Sequence, residues 1–367
     1  MKDRSKSDNQ DIKDESRLDK HYKKIIFKLI LAAAALLFWI WAVVNQKLIE
    51  AAPASIGVRY AEAVLTRQRI DDILDEMKSK KMNDIPQVTL WKKEKQVRIT
   101  KGDLERNLMA ELITVAGDMS LICQGTLVDG GYLAQEDTEG CVIDRDTAFE
   151  LFGSVDVIGG RLKLNDKEYL VRGILKPSGS RTVLIQDEGP GIDREPEYYN
   201  CMELRFEQPD EAMKLAENFV MTYGMGEASY IDGYGKQRLS QVFIRLPLWL
   251  CALWAIIALI KTMRKLKTSP ILTLLGYGSV LMIVILIIKL ADIRLQIPAS
   301  MIPNRWSDFS FWSAKVKELL AAGSRKEHLA RSYSDIIGRG RLMIVSAGVL
   351  LTMIIEGCLF KKDIFHK

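Results

Sequence analysis

The sequence predicts an α-helical membrane protein with four transmembrane helices and an extracytoplasmic α+β domain. Four blocks are almost purely apolar, and each is long enough to cross about 30 Å of hydrocarbon as a helix. A long charged segment with alternating strand patterns and amphipathic helix patterns separates the first two blocks. The predicted parts are a disordered cytoplasmic tail 1–24, transmembrane helix 25–44, an extracytoplasmic domain 45–241, transmembrane helix 242–260, a basic cytoplasmic loop 261–270, transmembrane helix 271–291, an extracytoplasmic aromatic-rich loop 292–341, transmembrane helix 342–360 and a cytoplasmic tail 361–367.

The first apolar block, Ile25 to Val44, has two interpretations. Lys28 can extend its amine to the cytoplasmic interface, and Trp39 and Trp41 lie where indoles favour the opposite interface. A cleaved signal peptide is the alternative, since small residues follow the block. The long charged tail before it and the length of the apolar run favour an uncleaved anchor.

Composition excludes several function classes. A net charge of +5 over 367 residues does not indicate nucleic-acid binding. No phosphate-binding loop of the G-x-x-x-x-G-K-[ST] kind occurs, and the three histidines form no cluster with cysteine. We therefore predict no enzyme activity, no metal and no cofactor in this chain.

Three of the five cysteines, Cys123, Cys141 and Cys201, lie in the large polar segment. An odd number excludes complete pairing. One disulfide or three unpaired buried thiols are the alternatives, and the sequence favours unpaired thiols.

The polar segment reads as a mixture of strands and helices. Val58 to Met77 shows an imperfect helical stripe, which predicts a membrane-proximal stalk helix. Val88 to Thr100 reads as two short strands joined by charged residues, and Gly125 to Gly140 as a loop. A helix is predicted from Glu211 to Tyr223, where glycines end it.

The stretch from Cys141 to Lys176 has the clearest local pattern. A β-prone run precedes Asp144 and Asp146, which are good N-cap residues for a short helix that Gly153 ends. A hairpin with its turn at Asn165 follows. Since a two-stranded ribbon is unstable alone, these strands should belong to a larger sheet.

This order of elements resembles the extracytoplasmic core domain of MacB-type and FtsX-like ABC transporter permeases. In that family an Ala-x-x-Leu-Phe-Gly helix precedes a glycine-bounded hairpin. The matching positions here are Ala148, Leu151, Phe152, Gly153, Gly159, Leu162, Leu164, Tyr169, Val171, Gly173 and Ile174. The predicted layout of one span, a large outer domain and three further spans is also that of the family.

Basic residues predict the orientation. Lysines and arginines before the first block, between the second and third blocks and after the fourth would share one side in a four-span chain. That side is predicted to be cytoplasmic, with both termini, so the large domain faces outward. Arg331, Arg339 and Arg341 oppose this assignment, since they precede the fourth block on the outer side.

The loop 261–270 is the candidate ATPase-docking loop. The resemblance implies a separate cytoplasmic ABC ATPase that would bind ATP and contact this segment. The family's Glu-x-Gly and Ala-x-Gly patterns are missing here, so the basic residues would dock by charge alone. These residues are Lys261, Arg264, Lys265 and Lys267.

Two further features are candidate sites. Glu356 is an acid within the fourth block, and it either pairs with a basic residue of loop 261–267 or remains without such a partner. An aromatic cluster in the outer loop either lines the membrane interface or contacts a partner or lipid. The cluster is Trp306, Phe309, Phe311 and Trp312.

The sequence thus predicts a permease-type subunit of an ABC transporter or an ABC-type mechanotransmission complex. Family resemblance implies a homo- or hetero-dimer of such subunits in the cell membrane, and no nucleic-acid partner is expected. A non-transporting membrane scaffold or sensor, whose outer domain binds a ligand or protein, is the alternative, and the missing coupling patterns favour it.

Overall fold

A computed structural model describes most of the chain. The described residues are 4–52, 54–101, 106–123, 125–165, 167–189, 196–265 and 329–365, with short helical pieces at 276–278, 281–282, 285, 311, 313–314 and 317. These residues divide into two compact units. We call them the helical unit (residues 1–47, 239–296 and 342–367) and the sheet domain (residues 48–238 and 297–341).

The secondary structure is mixed. The helices are α1 Arg4–Glu50, α2 Arg67–Ser79, α3 Ser120–Cys123, α4 Arg145–Phe152, α5 Ala212–Thr222, α6 Gly233–Lys265 and α7 Tyr333–Phe365. The strands are β1 Ile56–Arg59, β2 Gln87–Thr100, β3 Asn107–Ala116, β4 Leu127–Gly130, β5 Gly140–Asp144, β6 Arg161–Leu164, β7 Lys167–Leu175, β8 Thr182–Gln186, β9 Cys201–Arg205 and β10 Ser229–Asp232.

Three helices in the described part of the chain are long and apolar enough to cross a membrane. They are Ile25–Glu50 of α1, Gly233–Ala258 of α6 and Tyr333–Phe360 of α7. The predicted third span, 271–291, lies almost entirely outside the described residues, so the prediction of four spans is supported for three of them.

These helices extend beyond the apolar blocks that predict them. α1 begins at Arg4, so the tail predicted to be disordered is helical. The tail has no glycine or proline, and a helix that the apolar block nucleates can propagate through it at little cost. α6 likewise begins before residue 242 and α7 before residue 342, although both extensions contain glycines. The apolar blocks therefore locate the candidate spans, but they do not show where each helix begins or ends.

Within the helical unit the helices pack through small residues and buried polar groups. A Cβ atom on Gly348 of α7 would lie 3.1 Å from the Cβ of Ala42 on α1, so the two backbones approach closely. Thr352 donates a hydrogen bond across the same interface to the carbonyl of Ala35, at 3.4 Å. Trp39 of α1 donates to the carbonyl of Ile244 on α6, at 2.9 Å.

The described strands form one ten-stranded sheet in the order β10-β1-β9-β2-β3-β8-β5-β7-β4, and β6 pairs with both β2 and β7. Because of this double pairing, β2, β3, β8, β5, β7 and β6 close into a ring. Apolar side chains fill the ring together with Ala148 and Leu151 of α4. The ring is therefore a small closed barrel with its own core.

The rest of the sheet is an open layer. β10, β1, β9 and the first half of β2 carry α2 and α5 on one face, over a core that includes Ile56, Val58, Ile73, Leu204 and Phe219. Trp91 and Cys201 face the other way, into a third core that also contains Tyr333 at the start of α7. Both faces of this layer are thus buried.

The stretch 141–176 folds as predicted. β5 is fully buried, and Asp144 caps α4 by accepting a hydrogen bond from the Asp146 amide, at 3.2 Å. Gly153 ends the helix with a φ of 75°, and Asn165 turns the β6–β7 hairpin with a φ of 48°. β7 pairs with β5 and β4 as well as with β6, so the hairpin belongs to a larger sheet.

Other predictions for the domain need correction. The stalk helix is wrong: Ile56 to Arg59 form a strand between β9 and β10, and the helix α2 begins only at Arg67. β2 is one long strand with a bulge, not two short strands. The loop 125–140 contains β4, and β10 follows the predicted end of α5. These strands have four residues each, too few to show an alternating pattern.

Candidate functional site

The sheet domain contains a cluster of four charged side chains, two buried and two half-buried, which is the candidate functional site. Arg59 on β1 and Glu203 on β9 form its centre, with both side chains 1% exposed and Arg59 Nη2 at 2.6 Å from Glu203 Oε1. Asp335, in the first turn of α7, lies 3.6 Å from Arg59 Nη2. Lys236, in the first turns of α6, lies 2.7 Å from Asp335. We refer to these four residues as the charge cluster.

The sheet register places the central pair. β1 and β9 are antiparallel, with Gly57 opposite Glu203 and Arg59 opposite Cys201. A Cβ atom on Gly57 would lie 2.8 Å from both terminal nitrogens of Arg59. The absent side chain thus makes room for the guanidinium to reach Glu203 along the same face of the strand.

Trp91 on β2 completes the environment of this pair. Its indole ring lies under the guanidinium, with 4.8 Å from Arg59 Cζ to the ring centroid. Its Nε1 donates a hydrogen bond to Glu203 Oε1, at 3.3 Å, and Ser55 Oγ donates to Glu203 Oε2, at 2.8 Å. A cation over an indole face and a fully hydrogen-bonded carboxylate offset part of the cost of burying charge.

Burial and ion pairing act in opposite directions on the central pair, and burial raises the pKa of Glu203. Burial opposes the charge on Arg59, but Glu203 and Asp335 outweigh this effect, so the pKa of Arg59 is raised. Asp335 in turn faces two cations, Lys236 at 2.7 Å and Arg59 at 3.6 Å. Because the charges neutralise one another, this arrangement suits holding segments together rather than proton transfer.

The residues before and within the first turns of α7 are fixed to the sheet at several further points. Arg59 Nε donates to the carbonyl of Ala330, at 2.6 Å. Tyr333 is 1% exposed and donates its hydroxyl hydrogen to the carbonyl of Lys176. Ser334 Oγ donates to the carbonyl of Ile122, at 2.8 Å. We call the segment from Ala330 to Ile337 the strap, since it covers the face of the sheet that presents Arg59, Glu203 and Trp91.

The end of α1 and the start of α6 are also bonded within the sheet domain. Gln237 Nε2 donates to the carbonyl of Ala52, at 2.6 Å, just after α1 ends. The hydroxyl of Tyr234 donates to the carbonyl of Phe206 and accepts from its amide, at 3.1 and 3.2 Å. Arg341 donates to the carbonyl of Leu48, at 2.8 Å, in the last turn of α1. The sheet domain therefore holds the adjoining ends of all three long helices.

The sequence did not point to the charge cluster. Arg59 alternates along β1 with the apolar residues Ile56 and Val58, and Glu203 lies between Met202 and Leu204 on β9. Such alternation predicts that the apolar residues face the core and that the charged residues face solvent. The strap covers that face, and it comes from more than 120 residues further along the chain. The sequence contains one signal that this face is covered. Trp91 and Cys201 are apolar, and they lie on the face that alternation assigns to solvent, beside charges of opposite sign.

Most of the predicted docking and aromatic residues lie outside the described residues or have side chains that are not described. Lys261 is half-buried in α6, and the backbones of Arg264 and Lys265 form its last turn. Phe311 is helical and half-buried. Lys267, Trp306, Phe309 and Trp312 lie outside the described part of the chain. The roles predicted for both groups stay predictions.

Glu356 is 7% exposed and lies in the candidate span of α7. Its Oε1 accepts a hydrogen bond from Cys251 Sγ on α6, at 3.2 Å, and its Oε2 has no hydrogen-bond partner among the described residues. Its predicted pairing with loop 261–267 stays a prediction, since most of that loop's side chains are not described.

The three cysteines of the sheet domain are free and buried. Cys141 belongs to the barrel core, whereas Cys123 and Cys201 belong to the core beside the strap. Burial raises the pKa of Cys201 to about 12. The three thiols are thus unpaired and buried, which is the interpretation that the sequence favours.

An open cleft of about 1290 Å³ lies beside the barrel, between α4 and the β2–β3 hairpin. Phe149, Met109 and Val155 line it and are substantially exposed. Arg145 and Arg181 lie on its polar side, and Arg181 pairs with Glu150 at 2.7 Å. Groups of three or more potential metal ligands are absent from the described residues.

No family model matches the sequence, and no curated protein matches it. The solved structures to which the chain is similar include the following two. The periplasmic region of MacB from Actinobacillus actinomycetemcomitans aligns over 52% of this chain and 93% of its own, at 11% identity and a TM-score of 0.40. The extracellular domain of the noncanonic ABC-type transporter YknZ from Gram-positive bacteria aligns over 48% of this chain and 100% of its own, at 15% identity and a TM-score of 0.35. Likeness at this level concerns the fold alone.

Proposed function

We propose that this chain is the permease-type subunit of an ABC transporter or an ABC-type mechanotransmission complex. The charge cluster is the observation on which the proposal rests. It joins strands β1 and β9 to the first turns of α6 and α7, and both helices continue as candidate membrane spans. A displacement of these helices would therefore act on the sheet through buried ion pairs rather than through a loop.

A separate subunit would supply the energy. The chain has no phosphate-binding loop, and the family resemblance of 148–174 implies a cytoplasmic ABC ATPase that binds ATP. In this proposal the ATPase moves the cytoplasmic ends of the spans, and the sheet domain performs its work outside the membrane. Two permease-type chains, identical or different, would assemble around one pair of ATPase subunits.

The basic loop is the proposed ATPase contact. Four basic residues between positions 261 and 267 give this segment a positive charge that can attract an acidic protein surface. Glu356 would tie α7 to α6 near this end through Cys251. The aromatic residues Trp306, Phe309, Phe311 and Trp312 would anchor the outer loop at the lipid interface or contact a partner.

The test is purification of the tagged chain from native membranes. We expect an ABC ATPase to copurify in stoichiometric amount. Replacing Lys261, Arg264, Lys265 and Lys267 together by alanine should lower ATPase recovery at least about fourfold, since exposed ion pairs contribute about 0.2–1 kcal/mol each.

Two controls make this test specific. Exchanging lysine and arginine at the same four positions keeps the charge and should keep the ATPase bound. The pair Lys78→Ala and Lys80→Ala removes two exposed charges from α2 and should leave recovery unchanged. Unchanged recovery in the four-alanine variant would refute the docking role of the loop.

A membrane scaffold or sensor is the second candidate, and the open cleft favours it. Phe149 and Met109 are 61% and 56% exposed, and they line the same concave surface. Exposed apolar side chains rimmed by charges are typical of protein-binding surfaces. Copurification of another protein in place of any ATPase would support this candidate, and the variant Phe149→Ser should then release that protein.

A further inference from the structure

We propose that the strap, Ala330 to Ile337, is a releasable element, and that docking of Asp335 into a positive socket of the sheet domain switches it between two positions. The inference deepens the proposed mechanical role of the charge cluster and does not depend on an ATPase. Four observations support it. They are the net charge of the socket, the hydrogen-bond partners that Glu203 and Asp335 keep when the strap leaves, the kind of hydrogen bonds between strap and sheet, and the apolar face beneath the strap.

The socket has an excess of positive charge without the strap. Arg59, Lys236 and Glu203 are two cations and one anion, so their net charge is +1. Lys236 belongs to the sheet side because its neighbour Tyr234 is bonded to Phe206 and is buried in the same core as β1 and β9. Asp335 alone neutralises this excess, and removing one member of a buried charge group is costly. The docked position therefore depends on a single carboxylate.

Each side keeps its own partners when the two separate. On the sheet, Glu203 retains Arg59 at 2.6 Å and Ser55 at 2.8 Å. On the strap, Ser332 Oγ donates to Asp335 Oδ2, at 3.0 Å, and accepts from the Asp335 amide, at 3.2 Å. An acid in the first turn also interacts favourably with the helix dipole. Both carboxylates therefore keep hydrogen-bond partners in either position of the strap, and Lys236, which is 20% exposed, would exchange Asp335 for water on release.

The remaining bonds between strap and sheet are replaceable by water. Arg59 donates to the carbonyl of Ala330, Tyr333 to the carbonyl of Lys176, and Ser334 to the carbonyl of Ile122. Released carbonyls, hydroxyls and the guanidinium can all bond water at modest net cost. Among the described residues of the strap, Tyr333 alone inserts a fully buried large side chain.

The cysteines beneath the strap can show whether it is docked or released. Cys123 and Cys201 belong to the same core as Tyr333, and Ala330 and Ile337 pack against that core. Cys141 lies in the separate barrel core. Release of the strap should expose the first two thiols and leave the third buried, whereas unfolding of the domain should expose all three.

The experiment is thiol labelling of the full chain in detergent, with each modified cysteine located by mass spectrometry. In Asp335→Asn we expect Cys123 and Cys201 to react at least about tenfold faster than in the wild type, with Cys141 unchanged, because the socket keeps its excess charge. Asp335→Glu keeps the carboxylate and should label close to the wild-type rate. Asp146→Asn removes a first-turn acid from α4 and should change none of the rates.

Two results would overturn the inference. If Cys141 reacts faster in step with Cys123 and Cys201, Asp335 stabilises the whole domain and the strap is part of its permanent core. If none of the rates changes, Asp335 does not hold the strap. Since the assay uses the chain without any ATPase, it can fail while the docking test of the loop 261–267 succeeds, and the reverse.

Discussion

Gly57 shows how one residue can determine the position of a buried charge. Its missing Cβ leaves the space that the guanidinium of Arg59 occupies, two residues further along the same strand. From there the guanidinium contacts Glu203, Asp335 and the ring of Trp91. The charge cluster thus requires a glycine at position 57 as well as its four charged residues.

Gly173 has a comparable role at the other end of the sheet. It lies on β7 opposite Gly130 of β4, and its φ lies outside the left-handed region. A Cβ there would lie 2.3 Å from the carbonyl oxygen of Gly131, a distance that no packing adjustment of a side chain can relieve. The glycine of the family-like motif is therefore explained by close backbone approach rather than by a turn.

We expect Gly173→Ala to destabilise the protein by about 3 kcal/mol, because backbone has to move to admit the new methyl group. The apparent unfolding temperature of the purified chain in detergent should fall by roughly 6–12 °C. Gly131→Ala is the matched control, since a Cβ at Gly131 has no neighbour within 4 Å among the described residues. Equal unfolding temperatures for the two variants would contradict this explanation.

At the scale of elements, the sequence predicts best where the pattern is local. β5, α4, β6 and β7 follow from a capped helix, a terminal glycine and alternating strands within 36 residues. The sequence predicts a helix in place of β1, because Val58 also fits a helical stripe. The pairing of β1 with β9 joins residues about 145 apart, and a pattern within a few residues cannot show pairing over such a distance.

The candidate site was unpredictable for the same reason. Arg59 and Glu203 lie at positions that alternation assigns to solvent, and only the arrival of the strap buries them. The residues that the sequence singles out are the basic loop, the aromatic cluster and Glu356, each of which is unusual in composition among its neighbours in the chain. Local composition does not show that Arg59 and Glu203, which are far apart in the chain, are buried together in the sheet domain.

The bulge in β2 is an element-scale feature that can be tested. Lys95 and Gln96 together oppose one residue of β3, between the pairs Glu94–Leu112 and Val97–Ala110. Gln96 takes up the irregularity with a φ of 60°, in the left-handed region. The bulge allows β2 to pair with β9 in the open layer and with β6 in the closed barrel.

We expect Gln96→Val to destabilise the protein by about 1–2 kcal/mol, because a β-branched side chain is strained at positive φ. The apparent unfolding temperature should fall by roughly 2–8 °C. Gln96→Gly removes that strain and should not lower the temperature. Lys95→Val adds the same side chain at an exposed neighbour without positive φ and should change stability by less than about 0.5 kcal/mol. A larger loss for Lys95→Val than for Gln96→Val would contradict the role of the backbone.

At the scale of the whole molecule, chain order places the sheet domain between candidate spans. Residues 48–238 begin in the last turn of α1 and end in the first turns of α6, and the strap overlaps the start of the candidate span of α7. A domain inserted in this way is attached to the spans at three points. Any movement of the spans relative to one another has to be accommodated by the domain or by the bonds at those points.

Orientation decides whether that movement reaches the outside of the membrane. The positive-inside rule places loop 261–270 and both termini in the cytoplasm and the sheet domain outside, provided that 271–291 spans the membrane. Four near-isosteric Ser→Cys substitutions sample the predicted sides. Ser154 and Ser307 belong to the predicted outer segments, and Ser5 and Ser269 belong to the predicted cytoplasmic segments.

In right-side-out membrane vesicles we expect Ser154→Cys and Ser307→Cys to react with a membrane-impermeant maleimide. Ser5→Cys and Ser269→Cys should react only after the vesicles are opened. The wild-type chain is the control for background, which should be low because Cys123, Cys141 and Cys201 are buried and because Cys251 and Cys358 lie within candidate spans. Labelling of Ser269→Cys and Ser307→Cys from the same side would show that 271–291 does not cross the membrane. Labelling of Ser5→Cys in sealed vesicles, with Ser154→Cys protected, would reverse the predicted orientation and place the charge cluster and its strap in the cytoplasm.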